Sequence, residues 1–261
     1  MTTPHIVVQG LTMAYGEFLI QRDLDFTINR GDVFIVMGGS GCGKSTLLMH
    51  MVGLKAPVKG DVFYSGDAFW GGGFEQRESI LRRFGVMYQG GALFSSLTLA
   101  ENVALPMEEF TDMGKAEIAD MVSYKLALVG LAGFEDYYPA ELSGGMQKRA
   151  GLARAMALDP EILFFDEPSA GLDPVSSRLL DDLIINLSQA LGTTLVVITH
   201  ELPSIFAIGT NGVLLDADAK TMLASGPPQR MLAEAQDPRI IQFLTRGQGK
   251  GADGVQMGVS A

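Results

Sequence analysis

Cysteine, histidine and basic residues are all scarce in this chain of 261 residues. The single cysteine, Cys42, excludes a disulfide within the chain, which is typical of proteins from reducing compartments. One cysteine and three scattered histidines (His5, His50 and His200) cannot build a cysteine–histidine metal cluster. Lysine and arginine number 19 against 30 aspartates and glutamates, so the net charge is −11. This charge argues against binding to nucleic acid and against direct adhesion to anionic lipid, because both require a basic surface.

Long apolar runs are also missing. Residues 183–200 carry no charged side chain, but their polar residues and Gly192 predict a helix end, a glycine stop and a buried strand. The first ten residues lack the basic start and the apolar run of a signal peptide. We therefore expect neither a signal peptide nor a membrane span. The apolar fraction of 47% predicts a substantial core in one large α/β domain or two small ones.

The most specific pattern is the glycine-rich stretch GGSGCGKST at residues 38–46, which matches G-x-x-x-x-G-K-[ST]. Residues 33–37 before it predict a buried strand, and residues 44–52 predict a helix. Glycines let successive N–H groups turn toward one anion, and the helix start adds unpaired N–H groups. The stretch therefore predicts a triphosphate-binding loop in which Lys44 reaches the phosphates and Ser45 holds Mg²⁺.

Cys42 lies inside this loop and has two interpretations. A helix N-terminus lowers a thiol pKa, which would make the side chain a nucleophile. The simpler interpretation is a small residue that fills a loop position.

Two adjacent carboxylates, Asp166 and Glu167, follow the apolar strand predicted at residues 162–165. Such a pair is costly to bury without a counterion, and a metal–phosphate site explains both carboxylates. We interpret Asp166 as a Mg²⁺ ligand through water, and Glu167 as the group that aligns or deprotonates the attacking water.

Polar residues also follow two other predicted strands. Gln89 ends a strand at residues 85–88, where it either caps a loop or reaches a metal ion and a water. His200 follows the strand at residues 194–199, and ligands of open α/β sheets bind at this end of the strands. Because the chain also has the phosphate loop and the Asp166–Glu167 pair, we interpret His200 as a contact to the γ-phosphate.

A second segment also predicts a helix start that faces an anion. Ser143 is an N-cap candidate, and Gly144 and Gly145 separate it from a helix predicted at residues 147–158. The alternative is an ordinary helix N-cap, which requires the serine but not the two glycines.

The remaining segments outline the domains. Segments 6–12 and 24–29 alternate like antiparallel strands, and Tyr15 in the turn-like stretch between them is either a loop aromatic or a ring that stacks on a base. Helical periodicity begins at residue 91, and one helix face carries Ile118, Met121, Val122, Lys125, Leu126 and Val129. We predict a nucleotide-binding core with an antiparallel β-subdomain (1–90 and 156–236), a helical subdomain (91–155), and a C-terminal helix with a flexible tail (237–261).

These motifs, in this order, resemble those of the ATP-binding cassette (ABC) ATPase family over about residues 6–236. They comprise the phosphate loop, Gln89, the signature LSGGM at 142–146, FFDEP at 164–168, SAGLDP at 169–174 and His200. The resemblance implies an α/β fold, with a P-loop NTPase core, an N-terminal antiparallel β-subdomain and an inserted α-helical subdomain. The signature departs from its commonest form at Met146, where glutamine is usual.

The resemblance also implies the cofactors, the site and a homodimer. Two chains pack head to tail, and each Mg-ATP lies between the Lys44 loop of one chain and the signature of the other. The family stacks adenine on an aromatic residue at the place of Tyr15. The implied catalytic residues are Glu167, His200, Lys44 and Gln89, and the implied metal-site residues are Ser45, Gln89 and Asp166. The implied nucleotide-binding residues are Tyr15, Gly38, Gly39, Ser40, Gly41, Cys42, Gly43, Lys44, Ser45, Thr46, Gln89, Asp166, Ser143, Gly144, Gly145 and Asp173.

Four stretches, 89–107, 142–155, 165–174 and 237–244, are similar to the ATPase subunits of bacterial phospholipid transporters of the Mla type. This similarity implies a peripheral ATPase on the cytoplasmic face of the inner membrane, held there by a permease subunit. It also implies an Mce-domain protein and small cytoplasmic accessory subunits as partners, and phospholipid moving between the inner and outer membranes. Two alternatives are an ABC system for another hydrophobic solute and a regulatory or structural ATP-binding scaffold.

Overall fold

The computed structural model describes residues 3–247, so the predicted tail beyond residue 247 lies outside the described residues. Within this range the chain forms ten strands and nine α-helices. The strands are β1 (Pro4–Tyr15), β2 (Phe18–Asn29), β3 (Val33–Gly38), β4 (Lys59–Tyr64), β5 (Asp67–Ala68), β6 (Phe84–Met87), β7 (Ile162–Asp166), β8 (Thr194–Ile198), β9 (Asn211–Asp216) and β10 (Thr221–Ser225). The helices are α1 (Lys44–Met51), α2 (Phe74–Leu81), α3 (Leu99–Phe110), α4 (Lys115–Leu128), α5 (Gly144–Ala155), α6 (Pro174–Leu191), α7 (Leu202–Ile208), α8 (Pro228–Ala233) and α9 (Pro238–Leu244).

The alternating N-terminal residues build an antiparallel sheet in the order β2-β1-β4-β5. Along β1, side chains such as Ile6, Val8 and Met13 are buried on one face, as a half-buried strand requires. They pack with Phe34 and Leu47 of the neighbouring layer in a single apolar cluster. This contact seats the antiparallel sheet against the strand and helix that flank the phosphate loop.

A second sheet has the order β10-β9-β3-β8-β7-β6, in which all strands except β10 run parallel. The central strands β3 and β8 are buried along their whole length, and their nearly continuous hydrophobicity follows from burial on both faces. Because β3, β8, β7 and β6 are parallel neighbours, their carboxyl ends meet at one edge. That edge carries the phosphate loop, His200, the Asp166–Glu167 pair and Gln89.

Helices α3, α4 and α5 share one apolar cluster, which includes Leu99, Val122 and Leu152. The α4 face predicted from periodicity packs inward, and even Lys125 is only 1% exposed. Its ammonium group pairs with Asp159, which precedes β7. These packed helices agree with the α-helical part of the predicted fold, whereas the boundaries at residues 91 and 155 stay a prediction.

Several element bounds differ from those predicted. The helix predicted at 147–158 begins at Gly144, because the Ser143 hydroxyl accepts the Met146 N–H and caps the helix there. Tyr15 is the last residue of β1, so the turn itself contains only two residues, Gly16 and Glu17. No helix among residues 3–247 is long and apolar enough to span a bilayer.

Candidate active site

The phosphate loop follows β3 in a conformation that only glycine tolerates at its first position. Gly38 has a φ of +153°, and a Cβ placed there would lie 2.5 Å from both the Cys42 Sγ and the Leu215 carbonyl oxygen. Gly43 has a φ of +96°, and its missing Cβ would lie 2.5 Å from the Ile20 Cγ2. The glycine spacing therefore follows from close packing against β2 and β9 as well as from backbone freedom.

Lys44 begins α1 and is buried, and its ammonium group curls back over the loop. The Nζ donates to the Gly38 carbonyl at 2.9 Å and to the Gly39 carbonyl at 3.1 Å. These carbonyls hold the positive charge directly above the loop where the sequence predicts phosphates. The arrangement fits a triphosphate, since an ammonium group and the N-terminus of α1 both attract anions.

Ser45 and Asp166 supply oxygen ligands beside the lysine. The Ser45 hydroxyl donates to the Asp166 Oδ1 at 3.3 Å. Burial raises the pKa of the Asp166 carboxyl, and the Glu167 charge acts in the same direction, whereas the Ser45 hydrogen bond lowers it. Residues 3–247 contain no cluster of three or more histidine, cysteine or carboxylate ligands. The residues fit Mg²⁺, which is commonly bound by one or two carboxylates, substrate phosphates and water.

Glu167 faces His200 across the ends of β7 and β8. The imidazole Nδ1 lies 2.9 Å and 3.0 Å from the two carboxylate oxygens. The Glu167 side chain is 13% exposed and the His200 side chain 53% exposed, so the pair lies at the cavity wall. The Glu167 N–H donates to the Ile198 carbonyl at 2.8 Å, although its φ of +48° places it in the left-handed region. Such strained residues concentrate at functional sites.

A cavity of about 740 Å³ unites most of the predicted residues. The predicted residues that line it are Gly39, Ser40, Gly41, Gly43, Lys44, Ser45, Thr46, Gln89, Glu167 and His200. Buried beneath this wall are Gly38 and Cys42. Burial raises the pKa of the Cys42 thiol, which favours the packing role over the nucleophile.

Other predicted residues do not line this cavity. Tyr15 is 48% exposed, its hydroxyl lies 3.8 Å from the Met49 sulfur, and the Lys55 ammonium lies 3.8 Å from its ring centroid. Phe18 and Ile20 of the next strand line the cavity instead. No sequence motif identified these two side chains.

The signature residues Ser143, Gly144 and Gly145 also lie away from the cavity, at the start of α5. Asp173 caps α6 by accepting the Val175 and Ser176 N–H groups. The predicted second half of the nucleotide site therefore belongs to another surface of the same chain.

Two contacts at the site carry no sequence motif. Arg154 of α5 donates to the Ala92 carbonyl at 2.7 Å and to the Gly91 carbonyl at 3.2 Å, and so holds the backbone just after Gln89. The cavity wall also includes Phe243 of α9 and Arg246, which lies two residues beyond the end of that helix. An arginine in the last turn of a helix and a short helix near the C-terminus are common features, so no signal in the sequence singled them out.

Comparisons with known proteins agree with this geometry. A family profile described as "ABC transporter" matches residues 21–170. The "Probable ribonucleotide transport ATP-binding protein mkl" of Mycobacterium tuberculosis is 39% identical over 92% of this chain, which spans 66% of that relative's length. The "Intermembrane phospholipid transport system ATP-binding protein MlaF" of Escherichia coli K12 is 37% identical over 91% of this chain and 87% of its own.

Two solved structures have the same fold. The ATP-binding cassette MJ0796, solved as a dimer in a post-hydrolysis state bound to ADP and Pi, superposes with a TM-score of 0.76. It is 28% identical, and the match covers 84% of this chain and 97% of that structure. The cbiO1 protein of Clostridium perfringens gives a TM-score of 0.81 at 24% identity, over 94% of this chain and 97% of its own, which bears on the fold alone.

The matched profile, the relatives matched over more than nine tenths of this chain, and the shared fold all confirm the resemblance and the fold class inferred from the motifs. With the phosphate loop, the carboxylate pair and the histidine gathered at one edge of its parallel sheet, the chain is an ATP-binding cassette and belongs to the ABC transporter family.

Proposed function

We propose that this chain is the ATP-hydrolysing subunit of a complex that moves phospholipid between the inner and outer membranes of a bacterium. The observation that carries hydrolysis is the Glu167–His200 pair, which lies in one cavity with Lys44. The cargo rests on the 37% identity to the phospholipid transport protein over 91% of this chain. The complex would hold this chain at the cytoplasmic face of the inner membrane through a permease.

Each side chain at the sheet edge has its own role in ATP hydrolysis. Lys44 neutralises the phosphates, and the loop N–H groups orient them. Ser45, Gln89 and Asp166 would hold Mg²⁺, which withdraws charge from the phosphate oxygens when bound. Glu167 accepts a proton from the attacking water as general base, and His200 stabilises the γ-phosphate.

A homodimer completes this site. In one chain the cavity is open toward solvent, and Ser143, Gly144 and Gly145 lie on a different surface. The N-terminus of α5 attracts anions through its unpaired N–H groups, and its two glycines leave room for a ligand to approach. A second copy packed head to tail brings its signature, with Asp173 beside it, over the first copy's phosphate loop.

The permease would dock in an apolar groove beside Gln89. This groove has a volume of about 370 Å³ and separates β6 and α2 from α3 and the end of α5. Leu81 and Phe110 at its rim are 39% and 58% exposed. Arg154 lines the groove and also holds the backbone after Gln89, so a docked helix would contact a side chain that supports the nucleotide site. The remaining partners, an Mce-domain protein and small accessory subunits, rest on the similarity to Mla-type systems.

The catalytic assignment is tested with Glu167→Gln in the full-length chain. A general base contributes about 10²- to 10⁴-fold, so we expect kcat to fall by at least about 100-fold. ATP affinity should persist, because Lys44 and the loop are unchanged, and light scattering should detect an ATP-dependent dimer.

The matched control is Glu201→Gln. The Glu201 carboxylate lies 3.6 Å from the other nitrogen of His200, so the same loss of charge occurs next to the site without removing the general base. A Glu167→Gln variant with wild-type turnover contradicts the assignment, and so does an equal loss in both variants.

A second candidate cargo is a ribonucleotide, which the name of the mycobacterial relatives favours at 39% identity. The two cargoes are distinguished by purifying the membrane complex under mild conditions and identifying its bound molecule by mass spectrometry. Co-purified phospholipid supports the first candidate, and a nucleotide that persists after ATP is exchanged away supports the second.

A further inference from the structure

Lys148 is a buried cation that the catalytic assignment leaves without a role. It lies in the second turn of α5 and is 7% exposed. Its Nζ donates to the Pro168 carbonyl at 2.6 Å and to the Ala170 carbonyl at 2.5 Å. Burial lowers the pKa of this ammonium group, and the nearby Glu167 charge opposes that effect. Burying an ammonium group without such partners would cost free energy. The two carbonyls must therefore stay in place around the Lys148 side chain.

The two carbonyls belong to the turn that directly follows the general base. Glu167 adopts a left-handed φ of +48°, and its own carbonyl accepts the Ala170 N–H at 3.1 Å. A conformation of this kind costs about 1–3 kcal/mol and persists only where surrounding contacts enforce it. The Lys148 hydrogen bonds to the Pro168 and Ala170 carbonyls are contacts that constrain this turn.

The same face of α5 carries the signature. Gly144 and Lys148 are four residues apart and therefore lie on one face of the helix. A Cβ on Gly144 would lie 3.9 Å from Leu172, two residues beyond the turn that Lys148 holds. One face of α5 therefore carries two features. The signature would close the site of the second copy, and Lys148 contacts the turn that follows Glu167 in its own chain.

We propose that Lys148 is a positioning residue, which holds the 168–170 turn so that Glu167 is aligned for hydrolysis and follows the movement of α5. The inference rests on the proposed role of Glu167 as general base. When the signature engages a nucleotide of the second copy, the shift of α5 reaches Glu167 through these two hydrogen bonds.

The test is Lys148→Met in the full-length chain, with kcat, the half-saturating ATP concentration and direct ATP affinity measured together. Methionine has a similar length but donates no hydrogen bond, so the two carbonyls lose their partner. A misplacement of catalytic groups by 1 Å can cost about 100-fold, and we expect kcat to fall about 10- to 100-fold. ATP affinity should stay within about twofold, because the phosphate loop is untouched.

Lys125→Met is the matched control, since Lys125 is also buried and pairs with Asp159 away from the cavity. We expect it to lower the unfolding temperature but to leave kcat unchanged. Lys148→Arg, which keeps the charge and the donors, should retain more activity than Lys148→Met. If Lys148→Met does not fold, Lys148→Leu, which also donates no hydrogen bond, replaces it with the same expected separation of kcat from ATP affinity.

Three results overturn the inference: unchanged kcat in Lys148→Met, an equal kcat loss in Lys125→Met, or a loss that follows ATP affinity alone. A parallel Glu167→Gln measurement separates this failure from failure of the proposed function. If Glu167→Gln is inactive and Lys148→Met is fully active, only the positioning role fails. If Glu167→Gln is active, the assignment of the general base fails first.

Discussion

Gly38→Ala should weaken ATP binding far more than its small size suggests. The added Cβ would lie 2.5 Å from the Leu215 carbonyl oxygen and 2.5 Å from the Cys42 Sγ, whereas real Cβ contacts stay beyond 3.0 Å. The loop or β9 must therefore shift by at least about 0.5 Å, and the Leu215 oxygen is backbone that cannot rotate away. The φ of +153° adds strain that alanine cannot relieve.

The magnitude follows from these two effects. Overpacking costs about 1–3 kcal/mol and backbone strain about another 1–3 kcal/mol, which together give about 2–6 kcal/mol. This cost is divided between folding and nucleotide binding. Since about 1.4 kcal/mol is a tenfold change in affinity, we expect ATP to bind about 10- to 100-fold more weakly. The unfolding temperature should fall by several degrees, at about 2–4 °C for each kcal/mol.

The assay is a fluorescence titration with a nucleotide analogue, accompanied by scanning calorimetry on the same samples. Gly39→Ala is the control, because a Cβ on the adjacent glycine has no atom of the described part of the chain (3–247) within 4 Å. Wild-type affinity in Gly38→Ala, or an equal loss in Gly39→Ala, would refute the role of close packing at the loop.

Two further predictions concern a buried acid and the groove. Burial raises the pKa of Asp181, whose Oδ1 has no hydrogen-bond partner among residues 3–247. Its contribution to stability is therefore largest below the unfolded pKa of about 3.9 and is lost as pH rises through the folded pKa. Asp181→Asn should therefore raise the unfolding temperature at about pH 8 by a few degrees and much less at about pH 4, while Asp182→Asn on the exposed side changes little. Leu81→Asp should abolish co-purification with the permease, because an unpaired charge buried in an interface costs about 3–5 kcal/mol, yet leave ATP affinity unchanged. Retention of the permease by Leu81→Asp, or its equal loss in the exposed Leu54→Asp variant, would contradict docking in the groove.

The apolar strands and their terminal polar residues made much of the fold and site predictable. A strand buried on both faces leaves a continuous hydrophobic run, and so the segments before Gly38, Asp166 and His200 were identified with bounds close to those observed. The first residues of the helices were predicted less accurately. Glycine lowers helix propensity, so the pattern put the start of α5 after Gly145, but the Ser143 cap draws both glycines into the first turn.

Residues held by long-range contacts were not predictable. Lys148 reads as one more polar residue on a helix, and only the packing of α5 on the turn after Glu167 gives it two carbonyl partners. Phe18 is an exposed aromatic residue in a hairpin, and it lines the nucleotide cavity only because the antiparallel sheet packs against α1. In each case the partner lies far away in sequence.

By itself the sequence determined the chemistry, since the spacing of Gly38, Gly43, Lys44 and Ser45 is a local property of one strand, one loop and one helix. It also determined that polar residues lie at the strand ends, because the interior of a buried parallel strand is apolar and its polar residues are confined to its ends. The tertiary structure alone decided how these ends meet, through the order β3-β8-β7-β6. It also placed the signature on a surface apart from the phosphate loop of its own chain, because the direction of α5 follows from its packing against α3, α4 and the turn after Glu167.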